Sequence, residues 1–288
     1  MRAADSRSPP PIRPAKLDDI AGIRSILAEH GNDGPHGTVD IVGPYVRHLV
    51  RTGRTMVVDD GRGLAAFGST VDTGHGRHLT DLFVRGDRLG RGIGRPLLEA
   101  VFGDSWPRTT FASDDPRAMP LYIRAGMAPL WTLLYLGGTA ADIPAAGEGL
   151  TVEGATPDVL AGLERDWTGA ERPGDHAFWV GQAEADPFVV IDGGEIVAGG
   201  CGRARQKGPA RAVDRLLVRP GRDPFGPICA ALRRTARGGQ VLACLPGPNP
   251  AVRPLLAAGF RIEERDTFMA SGPDLVDPVR LLPNPGML

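Results

Sequence analysis

The sequence lacks several features that mark common classes of protein. Of its 33 basic residues only Lys16 and Lys207 are lysines, and 34 acidic residues bring the formal net charge to −1. A chain so close to neutral has no overall positive charge for binding nucleic acid or an anionic membrane surface, so we expect neither partner. The preference for arginine over lysine is typical of GC-rich genomes and leads us to expect a bacterial source.

Long apolar runs and paired cysteines are also missing. No stretch approaches the roughly 18 apolar residues of a membrane-spanning helix. Residues 1–10 lack the apolar segment of a secretory signal, and we expect a disordered leader there. Three cysteines, Cys201, Cys229 and Cys244, favour neither a disulfide framework nor a zinc site. We therefore expect a cytoplasmic protein that uses no metal.

The chain does contain an internal repeat. Short segments of the first half recur in the same order in the second half, at offsets that drift between 132 and 140 residues. The matching pairs include Val57–Gly61 with Val189–Gly193, Leu82–Arg85 with Leu216–Arg219, and Ala125–Met127 with Ala258–Phe260. We predict two homologous domains, 11–138 and 150–288, joined by a Gly/Ala-rich linker at 139–149.

Hydrophobic periodicity gives each copy the element order β–α–α–β–β–β–α–β–α–β. In the first copy the pattern predicts helices over 17–29, 45–49, 92–102 and 116–125. Strands are predicted over 55–59, 64–71, 78–84, 109–112 and 128–136. The segment Asp60–Gly63 separates two of these strands and is typical of a hairpin turn.

A glycine-rich loop connects the strand ending at Val84 to the next helix. Gly90, Gly92 and Gly94 remove side chains where backbone amides must face a ligand, and the helix adds the positive end of its dipole. Together these features predict a site for a pyrophosphate. The loop is neither a Rossmann fingerprint, which needs an acidic residue about 20 positions on, nor a P-loop, which needs Gly-Lys-Ser/Thr.

The residues of this loop resemble the acyl-CoA signature of the GNAT superfamily of N-acetyltransferases, Arg/Gln-x-x-Gly-x-Gly/Ala. The matching segment is Leu89–Gly94, in which Leu89 stands where the family has Arg or Gln. A second family element, Asn-x-x-Ala-x-x-Leu-Tyr-x-x-x-Gly-Phe, resembles Asp115–Met127, with Asp for Asn and Met for Phe. The resemblance implies an α+β (mixed α/β) fold: two tandem GNAT acyl-CoA N-acyltransferase folds, each a mixed, mostly antiparallel sheet flanked by helices.

The resemblance also implies direct transfer of an acyl group, usually acetyl, from acetyl-CoA to an amine. Tyr122 stands where the family places the acid that protonates the departing thiolate, and a phenol with pKa near 10 keeps its proton at pH 7. The backbone of the preceding strand would hydrogen-bond the pantetheine. The residues expected to contact the cofactor are Phe83, Val84, Leu89, Gly90, Arg91, Gly92, Ile93, Gly94, Arg95 and Asp115.

A general base is expected because the attacking amine must be neutral. The family often takes a Glu from the strand before the loop, but the corresponding positions here are His78 and Thr80. His78 has a suitable ordinary pKa of about 6.5 and is our first candidate. Asp81 is the second, although strict alternation places it on the opposite face unless a bulge intervenes. Bulk water is the third.

The second copy departs from the signature. Position 224 has Pro where the first copy has Gly90, Pro227 removes a further amide donor, and Asp223 adds a negative charge. Leu255 takes the place of Tyr122. We predict that the second domain is degenerate and inactive.

Three functions remain open on the sequence. The first is an N-acetyltransferase acting on a small-molecule or peptide amine, with its active site in the first domain, as a monomer or homodimer. The second is a non-catalytic acyl-CoA sensor, and the third is a structural protein without a CoA site. The acceptor would be selected by residues 29–49 together with the second domain.

Overall fold

The computed structural model describes residues 11–33, 40–205 and 208–288. The expected leader at 1–10 and part of the expected acceptor segment, 34–39, therefore lie outside the described residues. Contacts divide the described chain into two compact units. The first contains residues 11–33, 42–71 and 79–104, and the second contains 40–41, 72–78, 105–205 and 208–288.

The first unit is a sheet covered by helices. Its strands follow the order β1-β2-β3-β4, with antiparallel pairing of β1 to β2 and of β2 to β3. The buried face of the first helix carries Ile23, Ile26 and Leu27, which pack against Val57 and Phe67 of the sheet. The elements are β1 (Ile12–Pro14), α1 (Ile20–Glu29), α2 (Val42–Thr52), β2 (Arg54–Asp59), β3 (Leu64–Asp72), β4 (Arg77–Val84) and α3 (Gly94–Phe102).

The second unit contains the remaining elements. They are β5 (Arg108–Ala112), α4 (Ala118–Arg124), β6 (Ala128–Thr139), β7 (Leu150–Gly154), α5 (Pro157–Thr168), α6 (Pro173–Val180), β8 (Asp186–Asp192), β9 (Glu195–Ala204), β10 (Arg211–Val218), α7 (Phe225–Ala236), β11 (Gln240–Pro246), α8 (Val252–Ala257), β12 (Arg261–Ala270) and β13 (Leu281–Leu282). Its strand order is β5-β12-β6-β11-β10-β9-β8-β7, with β13 paired to β10. The main core lies under α7, whose Ile228, Cys229 and Leu232 are fully buried.

The last strands of the two sequence copies are exchanged. In the repeat, β5 and β6 belong to the first copy and β11 and β12 to the second. However, β5 pairs with β12, and β11 pairs with β6 through Gln240↔Thr139 to Pro246↔Leu133. β12 and β6 also pair with each other. Because the strands alternate in origin, the second compact unit contains the end of the first copy as well as the whole of the second.

The expected α+β fold with a mixed, mostly antiparallel sheet is confirmed. Both copies have the predicted element order. β10 and β11 are parallel, whereas neighbours such as β8 and β9, β9 and β10, and β6 and β11 are antiparallel. Several predicted bounds were wrong, among them that of the helix 45–49, which is longer and covers Val42–Thr52. α3 begins at Gly94 and not at residue 92, because Gly92 has a φ of +77°, outside the helical region.

The strand before the predicted linker also continues beyond Leu136. Gly137, Gly138 and Thr139 belong to β6, where they pair with β11. An added Cβ at Gly138 would lie 2.7 Å from the Phe260 ring, so this strand position requires a residue without a side chain. The predicted boundary between the two sequence copies, at residues 138 and 139, lies inside the second compact unit. Where the first copy ends stays a prediction. No helix in the described part is long and apolar enough to cross a membrane.

Candidate active site

The glycine-rich segment after β4 forms an open loop. A single 3₁₀ turn at Gly86–Arg88 follows the strand, and α3 begins at Gly94. Gly90 and Gly92 have φ of +74° and +77°, a region that residues with a side chain rarely adopt. A Cβ atom added to either glycine would meet nothing within 4 Å. The loop therefore offers both the backbone freedom and the space that a bound group needs.

The backbone amides of this loop are available as donors. Within the described chain, no amide from Gly90 to Arg95 donates a hydrogen bond to a protein acceptor. The first amides of α3 add the positive end of the helix dipole. Leu89 is exposed, whereas Ile93 and Gly94 are half-buried. Free amides at a helix start are the arrangement that binds phosphate oxygens.

Arg88, which lies just before the glycines of this loop, is already neutralised. Arg88 donates from Nε to Asp60 Oδ2 at 2.6 Å and from Nη1 to Asp87 Oδ2 at 2.7 Å. Arg91 is exposed and has no hydrogen-bond or ion-pair partner among the residues that the structure describes. Arg95 is bonded within its own helix. Arg91 is therefore the loop cation that is free to meet an anion.

The end of β4 carries the two residues expected to pair with pantetheine. The Phe83 ring stacks on Phe67 with centroids 5.8 Å apart and contacts the imidazole of His30. His30 Nε2 donates to the Val84 carbonyl at 3.0 Å. The roles of Phe83 and Val84 stay predictions. A ligand that pairs with this strand through the Val84 carbonyl must share or displace the His30 contact.

Asp81 forms a polar cluster with two neighbours in the first unit. Tyr45 donates its hydroxyl to Asp81 Oδ2 at 2.8 Å, and Thr80 Oγ1 donates to the same oxygen at 3.1 Å. Burial raises the pKa of Asp81 to about 6, while the hydrogen bonds from Tyr45 and Thr80 act in the opposite direction. A carboxylate with this pKa is mostly ionised at pH 7 and accepts a proton more readily than an exposed one.

His78 lies in the second unit in different surroundings. Its side chain is 0 % exposed, Nδ1 is hydrogen-bonded to Thr109 Oγ1 at 3.0 Å, and its ring packs edge-on against Phe111. Nε2 is buried without a hydrogen-bond partner in the described part. Burial, assisted by the charge of Arg172, lowers the pKa of His78 to about 3. Its predicted role as the base is untested, but these surroundings are those of a packed, neutral histidine, and they favour Asp81 for that role.

Tyr122 and Asp115 are both in the second unit, around α4. Tyr122 is 7 % exposed, and its carbonyl accepts from the amide of Met127 as the chain leaves the helix. Asp115 Oδ1 accepts from the Arg117 amide at 2.8 Å, which organises the turn before α4. This turn explains why the helix begins at Ala118 and not at the predicted 116. The roles of Tyr122 as acid and of Asp115 as a cofactor contact stay predictions.

The corresponding loop of the second copy is filled by the chain itself. Gly226 is the repeat equivalent of Gly92, and a Cβ there would lie 2.6 Å from the Ala146 carbonyl oxygen and 3.1 Å from Leu150. Arg233 of α7 stabilises the segment before Ala146 by donating hydrogen bonds to the carbonyls of Ile143 and Pro144. The space that is open beside Gly92 is therefore absent beside Gly226.

The strand edge of the second copy is also occupied. β13 pairs with β10 through Leu281↔Leu217 and Leu282↔Leu216, and the Val218 amide donates to the Arg280 carbonyl at 2.9 Å. Leu217 and Val218 are the repeat equivalents of Phe83 and Val84. The backbone positions that would pair with pantetheine in the first copy therefore pair with the chain's own segment in the second.

Sequence reasoning did not find Tyr45 as the partner of Asp81, nor the two segments that fill the second copy. Tyr45 lies 36 positions from Asp81, and its place in an amphipathic helix gives no sign of a polar contact. No group of three or more His, Cys, Asp or Glu side chains suited to a metal is present in the ranges that the structure describes.

Comparisons with known proteins identify the fold. No family model and no curated protein matches the sequence. A solved protein from Pyrococcus horikoshii named as a candidate acetyltransferase is 15 % identical, with a TM-score of 0.69 over 100 % of this chain and 97 % of that one. A tandem GNAT protein from the clavulanic acid biosynthesis pathway is 16 % identical, with a TM-score of 0.63 over 92 % of this chain and 99 % of that one.

A third similar structure is a GCN5-related N-acetyltransferase from Anabaena variabilis. It is 12 % identical, with a TM-score of 0.63 over 90 % of this chain and 72 % of its own. At these identities the likeness establishes the fold and leaves the chemistry to the site. The chain therefore has the fold of the GNAT acetyltransferases.

Proposed function

We propose that the chain is an acetyl-CoA-dependent N-acetyltransferase that acetylates a primary amine of a small molecule or peptide, using residues of the first copy. The observation that carries this proposal is the contrast between the two loops. The loop at Gly90–Gly94 is open and has free amides, whereas its equivalent around Gly226 is filled by Ala146. The GNAT fold makes acyl transfer the reaction to test first.

The glycine loop is proposed to hold the pyrophosphate of CoA. The amides from Gly90 to Arg95 would donate to its oxygens, and the exposed guanidinium of Arg91 would add a charge-assisted contact. Phe83 and Val84 would pair with the pantetheine through their backbone.

Asp81 is proposed as the general base. An amine with an ordinary pKa of about 10.4 must lose its proton before it attacks, which at pH 7 costs about 3.4 pKa units or ~4.6 kcal/mol. The raised pKa of Asp81 suits it to take this proton. Tyr45 and Thr80 hold the receiving carboxylate in place through the shared Oδ2.

The transfer itself exchanges one bond for another. The thioester of acetyl-CoA supplies the acetyl carbon, the neutral amine nitrogen forms a C–N bond to it, and the C–S bond breaks. Asp81 takes the proton that the ammonium loses before attack, and the Tyr122 hydroxyl gives a proton to the departing CoA sulfur. The second proton that the nitrogen loses as the amide forms returns to Tyr122 through solvent. The reaction needs no metal or redox partner.

The test is release of free CoA thiol from acetyl-CoA in the presence of a panel of primary amines. We expect turnover with at least one amine and a loss of about 10²-fold or more in Tyr122→Phe. The matched control is Tyr135→Phe, which removes the hydroxyl of a half-buried tyrosine that donates to Asp266. This control should retain turnover.

Two outcomes would contradict the proposal. Equal turnover in both tyrosine variants would remove Tyr122 from its role as acid. Binding of CoA without turnover across the whole amine panel would indicate an acyl-CoA sensor in place of an enzyme.

A further inference from the structure

A separate cavity lies within the second unit. Its volume is about 460 Å³, inside the range of about 300–1,000 Å³ that is typical of small-molecule sites. Its wall combines a buried charged group with an apolar surface. Its lining includes Glu164, Trp167, Arg215, Asp274, Leu275 and Val276.

A buried ionic cluster forms one side of this cavity. Glu164 accepts from Arg215 Nη2 at 2.6 Å and from His176 Nε2 at 2.5 Å. Burial opposes ionisation of Glu164, but Arg215, His176 and Arg172 outweigh it and bring its pKa to about 2. Burial lowers the pKa of His176 below its ordinary 6.5, so the imidazole is neutral at pH 7. This side is therefore an ionised pair with a neutral histidine behind it.

Arg215 keeps an uncommitted donor. The side chain is 8 % exposed, Nε donates to the Leu288 main-chain oxygen at 3.0 Å, and Nη2 donates to Glu164. Nη1 makes no hydrogen bond with any residue in the described ranges, and it is not among the side-chain atoms fully shut off from solvent. A guanidinium nitrogen in this position would bind a carboxylate with a charge-assisted hydrogen bond.

The charge of the cluster restricts which carboxylate fits. Arg215 is balanced by Glu164, and Arg172 is balanced by Asp175, with Nε to Oδ2 at 2.9 Å. Because each of these arginines already has a carboxylate partner, a simple anion would add an uncompensated negative charge in a poorly solvated place. A ligand that also carries a positive charge avoids this cost.

The rim supplies a partner for that positive charge. Asp274 is exposed and has no hydrogen-bond or ion-pair partner in the described part of the chain. The neighbouring Asp277, by contrast, is held by Arg280 at 2.6 Å. Apolar wall is provided by Trp167, Leu275 and Val276, which also pack on a small core cluster.

We propose that this cavity binds a small zwitterion with an apolar side chain, a free amino acid or a dipeptide. Its carboxylate would be held by Arg215 Nη1, its ammonium by Asp274, and its side chain by Trp167, Leu275 and Val276. This binding is independent of acetyl transfer, because none of the residues that it uses has a role in the proposed reaction.

The test is calorimetric titration of the full chain with L-leucine and with L-leucyl-L-leucine, which distinguish a free amino acid from a dipeptide as the ligand. Each probe is compared with its C-terminal amide and its N-acetyl form. We expect at least one zwitterion to bind and both capped forms to bind at least tenfold more weakly.

The key variant is Asp274→Asn, because asparagine tolerates the positive φ of 60° at this position. It should bring the affinity for the zwitterion down to that of the N-acetyl probe without changing the melting temperature. Asp114→Asn, at an exposed aspartate that does not line the cavity, should bind like the unmodified chain.

Arg215→Lys should weaken the binding of the zwitterion more than the binding of its C-terminal amide. If Arg215→Lys does not fold, the capped probes and Asp274→Asn still decide the question. Absence of binding by every probe, or binding that is indifferent to capping and to Asp274→Asn, would overturn the proposal.

Discussion

The two glycine loops allow a paired test of where CoA binds. Gly92 and Gly221 both have a φ of +77°, and a Cβ on either would meet nothing within 4 Å. Gly92 belongs to the open loop of the first copy and Gly221 to the loop of the second. Gly92→Glu and Gly221→Glu therefore impose the same backbone strain, about 1–2 kcal/mol, and differ only in their surroundings.

The magnitude for the first loop follows from charge. A glutamate at position 92 would point a carboxylate at the pyrophosphate oxygens. Two unit charges about 4 Å apart near a protein surface repel by about 4 kcal/mol, which corresponds to a factor of about 10³ in Kd. Gly221→Glu should leave CoA affinity within a few-fold of the unmodified chain, since the filled loop beside it is not expected to bind CoA.

The assay is calorimetric titration with CoA, with thermal unfolding measured in parallel. Both variants should lose a similar few degrees in melting temperature, at about 2–4 °C per kcal/mol. Retained affinity in folded Gly92→Glu would refute the assignment of the loop, as would an equal loss in Gly221→Glu.

Three further outcomes are expected. The kcat/KM of the unmodified chain should fall as pH drops below about 6, because Asp81 must be ionised to accept a proton. Asp81→Asn should remove most of the activity, together with this acidic limb of the pH profile. A profile that is flat down to pH 5 would exclude Asp81 as the base. Tyr45→Phe should move the same limb to higher pH, since the lost hydrogen bond had favoured the ionised carboxylate, and an unmoved limb would leave Tyr45 without influence on Asp81. Leu282→Ala should lower the free energy of unfolding, measured by chemical denaturation, by about 2–5 kcal/mol, because Leu282 is buried. Leu256→Ala, at an exposed position, should lower it little. Equal decreases in the two variants would show that Leu282 does not anchor β13.

Local features of the fold were predictable from the sequence. The order of strands and helices followed from hydrophobic period, and the open loop followed from the glycines at 90, 92 and 94, because both depend on neighbours along the chain. The GNAT resemblance led to the same fold that the solved structures identify.

Features that depend on distant residues were not predictable. The repeat makes β6 and β12 similar strands, so the sequence does not reveal that each lies beside a strand of the other copy. In the same way, no local sequence pattern indicates that Tyr45 contacts Asp81 or that Ala146 lies against Gly226. The preference for Asp81 over His78 also depends on burial, which alternation along one strand does not determine.

The exchanged strands have a consequence for how the chain is made. As it leaves the ribosome, Arg108–Ala112 emerges long before Arg261–Ala270, the strand against which it lies. Contacts so far apart in sequence slow folding, and until they form the edge of β5 is a template for the wrong partner. A fragment that stops within 139–149 would keep that edge permanently exposed. The first copy of the predicted repeat is thus not expected to fold alone, and expressing it separately should yield aggregate where the whole chain yields soluble protein.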